Sequence, residues 1–179
     1  MEHTGILLHA CCAPCSSASL EQLLETGYSP TVYFANSNIF PYEEFLKRES
    51  YTRELCSSWN IPFISEPWNH AQWLDAVEHR SNDPEGSRRC LLCFTYNLGL
   101  AAVKTKSMLL HQFTTTLALS PHKSFPQLMQ AGSAYASFMP VDFKKKGGFQ
   151  RSIELSRKYA LYRQRYCGCE YSFKASSSS

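Results

Sequence analysis

Seven of the eight cysteines in this 179-residue chain fall into three tight groups, Cys11-Cys12-x-x-Cys15, Cys90-x-x-Cys93 and Cys167-x-Cys169. Thiols grouped this way act together on a ligand or a reaction, so the fold has to bring distant stretches of chain to one place. The N-terminal "MEHTGILLHACC" lacks the basic lead and long apolar segment of an export signal, which points to the cytoplasm. In a reducing compartment, clustered cysteines bind metal or do redox chemistry rather than form disulfides. Adjacent Cys11 and Cys12 are also badly placed to bridge each other.

A Cys-x-x-Cys at a helix start lets two thiolates converge, and the helix dipole favours their ionised form. Between Cys167 and Cys169, Gly168 lets the backbone bend so that both sulfurs face one ligand. Cys90, Cys93, Cys167 and Cys169 would complete either a tetrahedral zinc site or a cubane iron–sulfur cluster, and spacing leaves both open. The further sulfurs of "CCAPC" point beyond one structural zinc. Cys56, inside the apolar pattern of a helix, reads as a small core hydrophobe.

The rest of the pattern alternates strands with helices. "GILLHA" (residues 5–10), "TVYFAN" (31–36), "IPFIS" (61–65), "LLHQFTTTLAL" (109–119) and "SFMPVDF" (137–143) predict five strands. Helices are expected over residues 17–27, 41–60, 70–80, from about Cys90 onward, 124–136 and 149–161. "SNDPEGSRR" predicts a loop, and "YRQRYCGCEYSF" a cysteine-bearing tail. The fold class is therefore α/β, a mostly parallel sheet covered by helices on both faces in a single domain over residues 1–175. The serine run at 176–179 is expected to be frayed. In such sheets ligands gather beyond the carboxyl ends of strands, where Cys11, Cys12 and Cys15 fall. No run is long and apolar enough to predict a membrane span, and neither a P-loop nor GxGxxG supports nucleotide binding.

Charge is uneven. Residues 1–140 hold 9 Lys/Arg against 12 Asp/Glu (−3), and residues 141–179 hold 9 against 3 (+6). A basic end on a mildly acidic body is a footprint for a polyanion. "FKKKGGFQR", with Lys144, Lys145, Lys146 and Arg151, mixes cations, glycines and aromatics as RNA-loop binders do. Arg163, beside Tyr162 and Gln164 next to the last cysteine pair, suits bidentate phosphate contact. Lys123 in "SPHK" could meet a phosphate or sit in a polar turn, Asn36 and Asn38 in "NSN" could touch a base or simply form a turn, and His9 could orient a ligand, give a proton or be held by hydrogen bonds alone. Trp59, Trp68 and Trp73 read as core. These residues leave three functions open: a redox enzyme acting on RNA, a zinc-stabilised RNA-binding module, and a thiol-based oxidoreductase or sulfur carrier.

"HACCAPC", "NSNIFPYEEFLKR", "RRCLLCF", "TTTLALSPHK", "FKKKGGFQRSIELS" and "LYRQRYCGC" appear in this order along the chain. In that order they resemble the QueH-type epoxyqueuosine reductases, over about His9 to Phe173. The resemblance implies a Rossmann-like fold and a cobalamin-independent reaction that removes the epoxide oxygen from epoxyqueuosine, the last step of queuosine synthesis. It implies two partners: tRNA carrying that base at the anticodon wobble position, and an electron donor the motifs do not specify. It further implies a 4Fe–4S cluster beside a separate metal ion, iron. On that pattern Cys90, Cys93, Cys167 and Cys169 hold the cluster, while Cys11 and Cys12, with Cys15 as third ligand, hold the lone metal and form the catalytic centre. Some members carry aspartate where this chain has Cys15, so the thiolate here is a softer anionic ligand.

Overall fold

The computed structural model describes residues 4–177. Four parallel strands form one sheet: β1 (Thr4–His9), β2 (Tyr28–Phe34), β3 (Phe63–Ser65) and β4 (Phe113–Thr115), in the order β3-β2-β1-β4. His9, the last residue of β1, sits opposite Tyr33 of β2 and Thr115 of β4. Ile6, Leu7 and Leu8 are all buried, the unbroken apolar run that a strand covered on both faces requires.

Helices α1 (Ala13–Glu25), α2 (Tyr42–Ser58), α3 (His70–Val77), α4 (Arg88–Ser107), α5 (Phe125–Gly132), α6 (Gly148–Lys158) and α7 (Glu170–Ser177) complete the described chain, with short 3-10 turns between some of them. α1 packs on α2, α6 and β2, whereas α4 packs on β1, β4, α3 and α5. From β1 the chain winds outward through β2 to β3, then returns across the sheet to β4. The switch in direction therefore lies between the carboxyl ends of β1 and β4, the place where open α/β sheets bind ligands. Among the described residues no helix is long and apolar enough to cross a membrane.

The predicted fourth strand is shorter than its sequence pattern. Only Phe113–Thr115 pair, and Thr116–Leu119 coil into a 3-10 turn as the Thr115 side chain accepts the Leu117 N–H at 3.2 Å. The predicted fifth strand is a single bridge, Phe113 to Phe138. Pro140 follows at once and has no N–H with which to extend a ladder. α5 stops at Gly132 rather than running to 136; a Cβ at Gly132 would collide with the Phe138 ring, which packs there. The tail past Cys169 is helical: residues 176–177 of the serine run close α7, and residues 178–179 lie outside the described residues. Cys56 is fully buried, and burial pushes its thiol up to about 12.

Candidate metal and active centre

The chain leaves β1 and turns into α1 through Cys11 and Cys12. Cys12 is the helix N-cap in extended backbone, and Pro14 in the first turn presets the helical φ. Thr116, just past β4, holds Cys11 twice: its Oγ1 accepts the Cys11 N–H at 3.0 Å and donates to Cys11 Sγ at 3.3 Å. The ends of two neighbouring strands thus fix one sulfur.

The sulfurs of Cys11, Cys12 and Cys15 lie within 4.8 Å of one another, with Cys11 and Cys12 3.7 Å apart. Four ligands at ~2.3 Å around a tetrahedral ion stand about 3.8 Å apart, so the trio needs little movement to close on one metal. Among the described residues it is the one group of three or more cysteine, histidine or carboxylate ligands at such spacing. Three thiols this close together cannot all ionise unaided. Cys12 is held well below its ordinary value by hydrogen bonds from Cys11 and Cys15, with Arg48's charge behind it. The shared hydrogen bond to Cys12 pushes Cys11 up to about 12, and hydrogen bonds to Cys11 and then Cys12 raise Cys15. A cation would replace the protons that Cys11 and Cys15 retain, so this donor set fits a thiophilic metal.

The other four thiols converge from α4 and from the chain before α7. Cys90 and Cys93 lie in the first two turns of α4, and each feels the charge of Cys167 and Cys169. Burial raises both Cys90 and Cys93. Each of the four sulfurs has a hydrogen-bond partner. The Gly86 N–H donates to Cys90 at 3.2 Å, Trp73 Nε1 to Cys93 at 3.4 Å and Lys123 Nζ to Cys167 at 2.9 Å, while Ser172 Oγ lies 3.5 Å from Cys169. Donors aimed at sulfur are what an anionic thiolate set asks for, so these residues fit a metal cluster as well.

A cavity of about 630 Å3 opens between the two thiol sets, with Cys11 and Cys15 on one wall and Cys167 on another. That volume suits a nucleoside-sized ligand. Asn36 and Asn38 line it, although Asn36 Nδ2 donates to the Ala10 carbonyl and Asn38 Oδ1 accepts from Asn97 Nδ2. His122, Arg163, Gln164, Arg165 and Phe149 form more of its wall.

The remaining sequence candidates divide by position. His9 is fully buried, with Nδ1 against Thr115 Oγ1 and Nε2 against the Ala35 carbonyl; burial lowers it to about 4, so it stays neutral inside the sheet. Lys123 turns inward to sulfur. Burial alone would discharge it, but its charge and hydrogen-bond contact with Cys167 outweighs that and holds its pKa above the ordinary value. Lys145 and Lys146 are exposed, and Lys144 Nζ donates to the Lys123 carbonyl at 3.4 Å. Arg151 pairs with Glu21 and Glu154 on the surface. Arg163 donates to Ser156 Oγ at 3.1 Å while still facing the cavity.

Two further residues hold the site in ways the sequence pattern does not announce. Arg48, 2 % exposed, pairs with Glu44 and donates to the backbone carbonyl of Cys167. Gln164 Nε2 donates to Cys12 Sγ at 3.3 Å, and its buried Oε1 has no hydrogen-bond partner. Arg48 sits in an ordinary i,i+4 charge pattern on α2, which gave no signal of burial. Gln164's nearness to the last cysteines was the only hint available.

Residues 6–175 match the family described as Epoxyqueuosine reductase QueH. A protein of that name from Streptococcus pyogenes serotype M1 is 37% identical over 181 residues, covering 95% of this chain and 71% of its own. One from Histophilus somni is 34% identical over 178 residues, covering 96% and 73%. The crystal structure of a predicted subunit of tRNA methyltransferase from Methanocaldococcus jannaschii superposes with a TM-score of 0.55 at 12% identity, covering 83% of this chain and 75% of that one. At that identity it speaks to the fold alone.

Proposed function

Because the chain belongs to the epoxyqueuosine reductase QueH family, we propose that it removes the epoxide oxygen of epoxyqueuosine in tRNA, in the cytoplasm, at the cavity between its two thiol sets. Two electrons and two protons enter, both C–O bonds of the epoxide break, a C=C bond forms and water leaves. Ordinary acid–base side chains have no electrons to give, so the reaction needs redox groups. We assign a 4Fe–4S cluster to Cys90, Cys93, Cys167 and Cys169, and a single metal, iron, to Cys11, Cys12 and Cys15. When bound, these groups supply the electrons and a Lewis acid for the departing oxygen.

The chain's own residues bind and orient. The observation that carries the reading is the shared cavity: Cys11 and Cys15 face it from one side and Cys167 from another, so one bound base touches both sets. Gln164 holds Cys12 with its amide N–H and itself forms part of the cavity wall. Asn36 and Asn38 are fixed by internal hydrogen bonds and shape the wall against the base. Phe149 brings the basic segment 144–151 to the cavity edge, where Lys145, Lys146 and Arg163 meet RNA phosphates. An external electron donor completes the cycle.

The test is metal and sulfide analysis of anaerobically prepared protein alongside mass spectrometry of the modified nucleoside. Conversion to queuosine by protein holding four iron and four sulfide plus one further metal is the expected result. Colourless protein carrying only zinc and no activity would favour a zinc-stabilised RNA-binding module.

A further inference from the structure

We propose that Lys123 is the fixed positive charge that sets the reduction potential of the centre formed by Cys90, Cys93, Cys167 and Cys169; this rests on the cluster reading above. Lys123 Nζ lies 2.9 Å from Cys167 Sγ. The other three sulfurs have neutral partners: a backbone N–H on Cys90, an indole N–H and the Asn97 amide on Cys93, and a hydroxyl beside Cys169. One full charge therefore stands in direct contact with the set, on one sulfur.

Its placement is built by the fold. The turn Ser120–Lys123 follows the 3-10 turn after β4, and the Lys123 N–H reaches back to the Ser120 carbonyl at 3.4 Å. The Lys123 carbonyl takes the Lys144 ammonium, and its own ammonium lies 5.7 Å from the centroid of the Phe94 ring. The half-buried side chain is held between Phe94 of α4 and the chain carrying Cys167, at the wall of the cavity.

Reduction adds one negative charge to a cluster that already carries four thiolates. Hydrogen bonds to the ligand sulfurs and nearby charge are among the levers that fix the potential. At contact distance an ammonium on a ligand sulfur favours the reduced form more than a neutral donor can. Lys123 thus acts through Cys167 as a positioning and charge-setting residue. The phosphate role that its sequence context suggests does not use this geometry.

The experiment compares Lys123→Met, Lys123→Gln and Lys123→Arg with the unaltered protein, by iron and sulfide content and by the midpoint potential of a spectroscopically followed redox titration. Lys123→Met and Lys123→Gln should retain the metal yet reduce less readily by about tenfold, about 59 mV for a one-electron couple. Lys123→Arg should stay near the unaltered value. Because Gln keeps a donor without the charge, its agreement with Met separates charge from hydrogen bonding. Neutral variants with full metal and an unmoved midpoint would overturn the proposal. So would loss of the cluster in both neutral variants, which would make Lys123 an assembly residue. Unaltered protein without about four iron and four sulfide would instead remove the cluster reading beneath it.

Discussion

Arg48 on α2 donates from Nη1 to the backbone carbonyl of Cys167 at 3.2 Å, so a buried guanidinium holds the turn that carries the last two grouped thiols. The same group takes Glu44 Oε1 at 2.7 Å and touches Tyr166, whose carbonyl lies 3.5 Å from Nη2. Gly168, at φ +129°, turns tightly against it, and a Cβ there would approach Arg48 Nη1 to 2.9 Å.

Removing Arg48 leaves Glu44 as a largely buried carboxylate that has lost its cation. Arg48→Met should therefore cost about 3–5 kcal/mol of folding stability, measured by urea denaturation. Arg48→Met combined with Glu44→Gln should recover part of that loss, because no bare charge remains. Equal losses in the single and double variants would show that the ion pair is not what holds the turn.

Burial pulls His9 from an ordinary 6.5 down to about 4. Between those values the unfolded chain takes up a proton that the folded one refuses. The stability His9 contributes is whole above about pH 6.5, falls as pH drops and is lost by about pH 4, about 3 kcal/mol in all. Denaturation of the unaltered protein and of His9→Gln between pH 7 and 4 should give a visibly flatter profile for the variant. Parallel profiles would mean that His9 can take its proton while folded.

The parallel α/β sheet and the cysteine grouping are both readable from sequence, for different reasons. An apolar run such as Ile6–Leu8 has no solvent face to disguise it, and thiols at short spacing have few other uses. The end of β4 was harder to see, since "TTTLAL" has strand propensity throughout and only the Thr115 hydroxyl, by capping Leu117, breaks it. The inward turn of Lys123 was not legible. A lysine after a proline reads as solvated, and nothing local says that a sulfur 44 residues away will receive it. Arg151 shows the converse: its cationic context suggested RNA, but Glu21, on a helix 130 residues distant, had already claimed it.

The two thiol sets should separate by mutation. Cys90→Ser, Cys93→Ser, Cys167→Ser or Cys169→Ser should each remove most cluster iron and sulfide and lower stability, because ligation and folding are linked. Cys11→Ser or Cys12→Ser should keep the cluster iron and sulfide while losing the single metal and queuosine formation. Cys15→Asp should be mildest, since it keeps an anionic ligand. Full turnover by both Cys11→Ser and Cys12→Ser would falsify a catalytic role for the first group.

The basic segment makes a prediction that depends on where each cation points. Lys145 and Lys146 are exposed, Lys144 is tied to the Lys123 carbonyl, and Arg151 is engaged by Glu21 and Glu154. A cation free to meet a phosphate releases counterions on binding, each adding about 0.7 to the salt slope on single-stranded RNA. Binding of an anticodon stem-loop, measured across a salt series, should therefore weaken steeply with salt in the unaltered protein. Lys145→Ala with Lys146→Ala should weaken it at low salt and flatten the slope by about one to one and a half. Arg151→Ala should move the slope far less, because its charge is already balanced by two carboxylates. A larger change for Arg151→Ala than for the lysine pair would shift the RNA-facing surface from the 3-10 turn at 145–147 to the exposed side of α6.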